Sequence, residues 1–343
     1  MDFEQDNNRT QPVCGSSESL SMAAKSRKGI GWKIFWGIVL ALSVLANIVL
    51  FIMLIGVIAA FAAGQQETFS EEIIRDGPRT AKIAVINVQG IIDGEQAEDV
   101  YGQIKSAKED KHVKGLILRV NSPGGMISGS DQICHEIIRY REKEEKPVVA
   151  FMQSVAASGG YYVSVPCDKI VAEPTAITGS VGVIAGHFVL QELLEEKLGV
   201  QPAIVKSGEK KDWPSPFKPF TDEQRQYIQD KLITPAYERF VQVVVDGREE
   251  LAIADVKRLA DGSIYGAQEA LDEKLIDKIG YLDEAIEEVK SLAEIAKARV
   301  VEYRRPFSFV DVFGSYSRNL LKIDKTTLYE FTTPQVMYLW SLY

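Results

Sequence analysis

Histidine and cysteine are scarce: the 343-residue chain has three of each. His112 sits in the charged stretch EDKHVKG, His135 falls in a predicted helix and His187 precedes another. None has a recognisable partner for acid–base work. Three cysteines make no disulfide framework. Cys14 precedes a long apolar run, and Cys134 and Cys167 follow it. The last two read as buried free thiols, with a bond between them as the alternative. No C-x-x-C or H-E-x-x-H pattern occurs, so no metal centre is expected. The G-x-S-x-G nucleophile elbow is missing as well. There is no basic excess: 39 Lys and Arg stand against 48 Asp and Glu, a net charge of −9. That balance argues against a nucleic-acid partner, which needs cations to neutralise phosphates. Neither a run of five like charges nor an internal repeat is present.

What the sequence does have is one long uncharged segment. Residues 34–63 read IFWGIVLALSVLANIVLFIMLIGVIAAFAA, with Ser43 and Asn47 as the only clearly polar members. A bilayer core needs about 20 apolar residues, so this run spans it with length to spare. Lys25, Arg27, Lys28 and Lys33 precede it, and Glu67, Glu71 and Glu72 follow. The positive-inside rule then puts the N-terminus in the cytoplasm and the chain beyond Gly64 on the other side of the cell membrane. A cleaved signal peptide ending near AAFAAG is the alternative. The expected organisation is a polar, disordered tail (1–29), a transmembrane anchor (30–63), a linker (64–80), a folded domain (81–305) and an aromatic-rich C-terminal tail (306–343). An aromatic tail is more often docked than free.

The folded domain opens with the β-branched run KIAVINVQGII. Apolar strands then alternate with helical patterns. GLILRVNS is followed by a PGG turn and a helix with Ile133, Ile137 and Tyr140 on one face. PVVAFM leads through SVAASGGYYVSV into another helix, and KIVAEP and the glycine-punctuated ITGSVGVI precede the helical FVLQELLEEKLG. This alternation predicts parallel β-α-β units with buried strands. Past Asp212, PSPFKPF is a loop, and Thr221 with Gln224 has capping-box spacing for a helix continuing to about Gly247 and broken or kinked at Pro235. A further helix is expected from about Asp283 to Lys297.

Two glycine-rich strand exits are candidates for chemistry. Ser158 follows one, between Ala156, Ala157, Gly159 and Gly160. Such small neighbours admit a substrate backbone, and a helix N-terminus there would stabilise a developing alkoxide. They equally well let a helix pack close to a sheet. The other exit is NSPGG, at the kind of strand end where open α/β sheets bind ligands. Free N–H groups at Gly124 or Gly125 could face an oxyanion there. A lysine is the alternative to histidine as the base, provided burial keeps it neutral. Lys206, Lys210, Lys211 and Lys218 fall in VKSGEKKDWPSPFKPF, which by composition is an exposed basic loop.

In this order, RVNSPGG, ASGGYY, DKIVAEPTAITGSVGVI, SGEKKD and DGSIYGAQEALDEKLIDKIG resemble the signal peptide peptidase SppA family, in its short single-domain bacterial form. The resemblance covers residues 82–281. It implies an α/β fold of ClpP/crotonase-like repeated β-β-α units with a parallel sheet, preceded by one transmembrane helix. It implies a serine peptidase with a Ser-Lys dyad, no cofactor and no metal. Ser158 matches the nucleophile, Lys211 the base and Ser180, in TGSVGV, the hydroxyl that orients the base. Gly125 matches an oxyanion donor, with Gly124 beside it, and Met126 is a candidate pocket wall. The position before the base, often aromatic in the family, is Lys210 here, which leaves two adjacent lysines to choose between. The implied partners are signal peptides, the lipid bilayer through residues 34–63, and other copies in a ring or dome where one subunit's lysine can serve a neighbour's serine. A crotonase-type acyl-CoA enzyme and a non-catalytic membrane scaffold of the same fold are the rival readings.

Overall fold

Thirty-four consecutive residues, Ile30–Ala63, form one α-helix, α1. Its stretch Gly31–Gly56 has a mean hydropathy of 3.0, and it is the one helix among the described residues long and apolar enough to cross a membrane. The computed structural model describes residues 30–63, 69–186, 188–305 and 335–340. The expected N-terminal tail, part of the linker, His187 and residues 306–334 lie outside them. The chain divides into two units, the first ending at Gln66 and the second starting at Glu67.

The second unit is built on a mostly parallel sheet. Its strands are β1 (Ser70–Arg75), β2 (Lys82–Ile92), β3 (Val113–Met126), β4 (Val148–Ala157), β5 (Lys169–Ala172), β6 (Ile177–Gly179), β7 (Ile184–Gly186), β8 (Ile264–Gly266), β9 (Lys278–Ile279), β10 (Arg299–Arg304) and β11 (Gln335–Leu339). The main order is β1-β10-β2-β3-β4-β5-β9. Strands β10, β2, β3, β4, β5 and β9 pair in parallel, and β1 closes one edge antiparallel to β10. The helices are α2 (Gly94–Glu109), α3 (Ile127–Glu144), α4 (Gly159–Ser164), α5 (Asp222–Ile228), α6 (Thr234–Gly247), α7 (Ile253–Leu259), α8 (Ala267–Asp272) and α9 (Leu282–Leu292).

Strand periodicity explains why these strands read as unbroken apolar runs. Successive side chains point to opposite faces, and both faces are covered. Ile83, Val85, Ile117, Val149, Phe151 and Val171 face α9. Ala84, Ile86, Leu116, Leu118, Ala150 and Met152 belong to the larger core with α2, α3, α4 and α6. Cys134 and Cys167 are both buried and free, as expected. Burial pushes the Cys134 thiol up to about 12 and raises that of Cys167 as well, so neither is a nucleophile at neutral pH.

Several elements differ from the sequence reading, each for a local reason. Strand β3 does not end at Ser122 but runs through Pro123–Gly125 to Met126, because Ile91 and Ile92 of β2 pair with Gly124 and Gly125. Strand β4 runs past Met152 and forks: its first half pairs with β5 and its last three residues with β6. The helix expected in FVLQELLEEKLG is mostly a single wide turn, Leu193–Lys197, closed by Leu198 N–H to Leu193 O at 3.2 Å. Leu193 and Leu198 are exposed and Leu190 and Leu194 only half-buried, so no buried face holds a longer helix together. At Pro235 the helical run is not broken: α5, a wide turn at Gln229–Ile233 and α6 follow without a gap, with Pro235 in the first turn of α6. Thr221 and Gln224 form the expected capping box.

One ion pair ties the helical layer to the sheet edge. Asp277 accepts from Arg248 at 2.8 Å and from the backbone N–H of Ile170 at 2.7 Å. Burial opposes the charge on Asp277, but these bonds outweigh it and hold the carboxyl below its ordinary value. A depressed carboxyl stabilises the fold above its unfolded pKa and loses that contribution as pH falls through the folded one. Asp277→Asn is therefore expected to cost about 2–4 kcal/mol at pH 7. The difference from wild type should shrink below about pH 4 in urea titrations at stepped pH.

Candidate active site

Strand β4 ends at Ala157, and Ser158 makes the corner into α4 with φ 53° and ψ −114°. A serine with positive φ is strained, and such strain persists only where neighbours fix it. Ser158 N–H donates to Gly179 O at 2.8 Å, and Ser158 O accepts from Tyr162 N–H at 2.8 Å. The small residues around it serve two purposes. A Cβ on Gly160 would lie 2.7 Å from Ser122 O, so that glycine allows close helix–strand packing. A Cβ on Gly159 would meet the glycine turn of β3 instead. Because α4 has only six residues, its dipole adds little at Ser158.

Ser158 and Ser180 line the same cavity, of about 490 Å³, with Val181, Tyr237, Leu339 and Trp340 also in its wall. Ser180 also has positive φ, 51°, and its N–H donates to Ser263 O at 2.7 Å. Among the described residues, no lysine or histidine lines this cavity. Asp261 does, but hydrogen bonds from Ser263 hold its carboxyl below the usual range, leaving it a weak base.

The sequence-predicted lysines stand elsewhere. Lys211 is exposed, in the short turn Glu209–Asp212. Lys210 sits 4.9 Å from the ring centres of both Trp213 and Tyr227, with Glu223 at 3.8 Å. Lys206 is paired with Asp212 at 2.7 Å. The two adjacent lysines are thus distinct: one is held over aromatic rings, whereas Lys211 has no side-chain hydrogen bond or ion pair among the described residues.

Strand β11, near the C-terminus, lies across the glycine turn. It pairs antiparallel with β3, Met337 opposite Met126, Tyr338 opposite Gly125 and Leu339 opposite Gly124, and on its other side with β7. Trp340 N–H donates to Pro123 O at 2.8 Å. Gly124 has φ +100°, and a Cβ there would lie 2.0 Å from the carbonyl oxygen of Tyr338 and 2.7 Å from Gly159 N. A Cβ on Gly125 would lie 2.1 Å from Ile92 O. Only glycines let a peptide carbonyl approach this turn. Met126 is partly exposed opposite Met337 and is not in the wall of the Ser158 cavity.

The side chain of Tyr338 is fully buried between Tyr162, at 4.9 Å, and Phe240, at 4.7 Å. Its hydroxyl donates to Ala236 O at 2.7 Å. Tyr162 donates to Asp131 at 2.6 Å, and Arg239 reaches the same carboxylate at 3.2 Å. Sequence reasoning missed this aromatic pocket, although YY after ASGG and the aromatic tail were its visible halves.

The model of Peptidase family S49 matches residues 140–296. The chain is 39% identical over 246 residues to the Enterococcus faecium protein named "Putative signal peptide peptidase SppA", covering 68% of this chain and 70% of that one. A relative from Methanocaldococcus jannaschii, named as a protease, is 33% identical, covering 75% of this chain and 84% of that one. The chain belongs to peptidase family S49. Within this S49/SppA family, Protease 4 of Haemophilus influenzae is 37% identical, and the match covers 62% of this chain and 35% of that longer protein. Membership supports a serine-protease type of hydrolysis. A solved ClpP1 from Listeria monocytogenes overlays with a TM-score of 0.40 at 17% identity, covering 59% of this chain and 94% of that one, too loose an overlay to fix the fold family.

Truncating the buried ring tests the seat of β11. Tyr338→Ala is expected to weaken it by about 3 kcal/mol. Amides of residues 336–340 should then exchange with deuterium much faster than in wild type, while those of β2 and β3 stay protected.

Proposed function

We propose that the protein is a membrane-anchored serine endopeptidase that uses a Ser158–Lys211 dyad to hydrolyse residual signal peptides in or near the membrane. The observation that carries this reading is a peptide, the chain's own strand β11, lying extended across the glycine turn with the Tyr338 carbonyl beside Gly124 and Gly159. An extended peptide in that position sets a carbonyl oxygen against Gly159, the residue after Ser158. The α/β framework with forked strands is read as ClpP/crotonase-like, residues 81–305 as the peptidase domain, and α1 as an anchor with the N-terminus in the cytoplasm and the peptidase outside.

In this mechanism neutral Lys211 accepts the proton of Ser158 Oγ, and Oγ bonds to the peptide carbon. The carbonyl electron pair moves to oxygen, which the N–H of Gly125 stabilises; the N–H of Gly124, the other candidate donor, is taken up by Ser122 Oγ at 3.0 Å. The C–N bond breaks, the amine leaves with the proton from the lysine, and an ester remains on Ser158. Water, deprotonated by the same lysine, then releases the acid. Ser180 orients the lysine; Met126, outside the Ser158 cavity, is given no part in the pocket.

Lys211 lies outside the cavity of its own chain, and this favours a dyad completed between copies. The segment leading to it exposes Val189, Leu193, Leu198, Val200, Ile204 and Val205. Exposed apolar side chains in this number fit an interface. A neighbouring copy closing over Ser158 would also exclude water, which a lysine base requires. A non-catalytic scaffold would share the empty one-chain cavity, and mutants separate the two readings.

Full-length protein in detergent is expected to cleave a signal-like peptide. Ser158→Ala and Lys211→Ala should each lower kcat by on the order of 10³-fold or more, and Lys210→Ala should leave most of it. Co-expressing the Ser158→Ala and Lys211→Ala chains should restore about a quarter of the sites if the dyad spans two copies, and none if it does not. Full activity in Lys211→Ala would remove it as the base. Ending the chain at residue 334 should raise kcat/KM toward peptides, since β11 then no longer competes for the turn; an unchanged value would show that β11 does not occupy the substrate position.

A further inference from the structure

Ser130 has a hydroxyl that nothing in the described protein engages. The residue is fully buried and its Oγ has no hydrogen-bond partner. Most buried polar atoms are bonded, and an unpaired one costs about 1–3 kcal/mol. Ser130 lies in the first turn of α3, just after the glycine turn. A helical serine commonly turns back to the carbonyl four residues earlier. Ser130 does not.

Its hydroxyl faces Gly159, the residue after Ser158. A Cβ on Gly159 would lie 2.6 Å from Ser130 Oγ, 3.0 Å from Gly124 Cα and 3.1 Å from the carbonyl oxygen of Tyr338. The space left by the missing side chain is therefore bounded by a hydroxyl, a glycine of the turn and a peptide oxygen. Any other residue at 159 would fill it and wall the hydroxyl off from the oxygen. Gly159 is outside the left-handed region, so backbone freedom does not require a glycine there. The shared space does.

We propose that the Ser130 hydroxyl is a further donor to the peptide oxygen, engaged as that oxygen becomes an oxyanion. The proposal rests on the Ser158 peptidase reading. With the planar carbonyl of Tyr338 in place, the hydroxyl makes no hydrogen bond. When Ser158 Oγ adds to the carbon, the π pair localises on oxygen, the C–O bond lengthens and the oxygen leaves the peptide plane. It is then a far stronger acceptor, and Ser130 O–H donates to it across the gap beside Gly159. The proton stays on Ser130 throughout. A donor idle toward the substrate and engaged in the transition state raises kcat without tightening substrate binding. The unpaired hydroxyl of the resting protein is the stability cost of that arrangement.

The test compares full-length wild type, Ser158→Ala, Ser130→Ala and Ser130→Cys in detergent. Cleavage of a quenched fluorescent peptide, melting temperature and inhibition by a peptide boronate, which forms a tetrahedral adduct on serine, are measured for each. Ser130→Ala should lower kcat roughly 10–100-fold, with KM within about twofold. Its melting temperature should equal or exceed that of wild type. Boronate affinity should fall by the same factor as kcat/KM, a readout that a merely structural role would not move. Ser130→Cys, of similar size and weaker as a donor, should fall between. Wild-type kcat in Ser130→Ala overturns the proposal. So does a kcat that falls together with the melting temperature while boronate affinity holds. Wild type that leaves the peptide uncut, or Ser158→Ala that still cuts it, overturns the peptidase reading and this proposal with it; active wild type with an inert Ser158→Ala confines any failure to Ser130.

Discussion

The hydrogen bond from Ser158 N–H to Gly179 O, 2.8 Å long, is the constraint on which the site depends. It fastens the end of β4 to the end of β6 where the sheet divides, and it holds a serine in a backbone conformation that serines avoid. Without it the corner would relax, α4 would tilt, and the carbonyl of Ser158 would lose Tyr162 N–H. Every other feature of the site follows from where that corner stands. Gly159 is brought against Gly124, Ser180 reaches the same cavity one residue past Gly179, and Tyr162 becomes the wall of the aromatic pocket.

The fork in β4 makes the corner possible. A parallel strand with neighbours along its whole length has no room for a ligand at its side. Here β5 leaves β4 after Met152 and β6 joins it at Val155, so the strand stays paired while changing its neighbour. The same device recurs in β3, whose last residues leave β4 and take β11. Two strands that change neighbours at the same end of the sheet open a slot between them, and both glycine-rich segments lie along it.

How far the sequence revealed this depended on whether the governing interaction was local. The buried parallel strands were legible because two covered faces demand unbroken apolar runs, as in KIAVINV and VVAFM. The strand exits at Ser158 and Gly124 were legible because small-residue clusters follow two apolar strands in succession, although such residues also serve close helix–strand packing, as Gly160 does. The aromatic pocket was not, since Tyr162, Phe240 and Tyr338 are far apart in the chain and each reads as an ordinary core residue. Ser130 was not either, because a serine in a first helical turn normally signals only a helix end. The Leu193–Lys197 segment misled because its apolar pattern matches a helix, whereas no core in the same chain receives it. Lys211 was singled out by family resemblance alone, and its exposed turn explains why composition called the segment a solvated loop.

The antiparallel seat of β11 carries a consequence for whatever replaces it. A strand bound along β3 and β7 makes its hydrogen bonds through the main chain, and side chains meet the protein on alternate sides. A peptide arriving from a bilayer has those same groups satisfied within a helix, residue i to residue i−4. It cannot keep both sets. On the proposed function, entry into the slot would require a turn or two of helix to unwind first, and the free energy of unwinding would be set by the peptide rather than by the protein. Glycine and proline lower that cost, alanine and leucine raise it. Selection among peptides would then begin before any side chain reaches a pocket, in how readily each one ceases to be a helix.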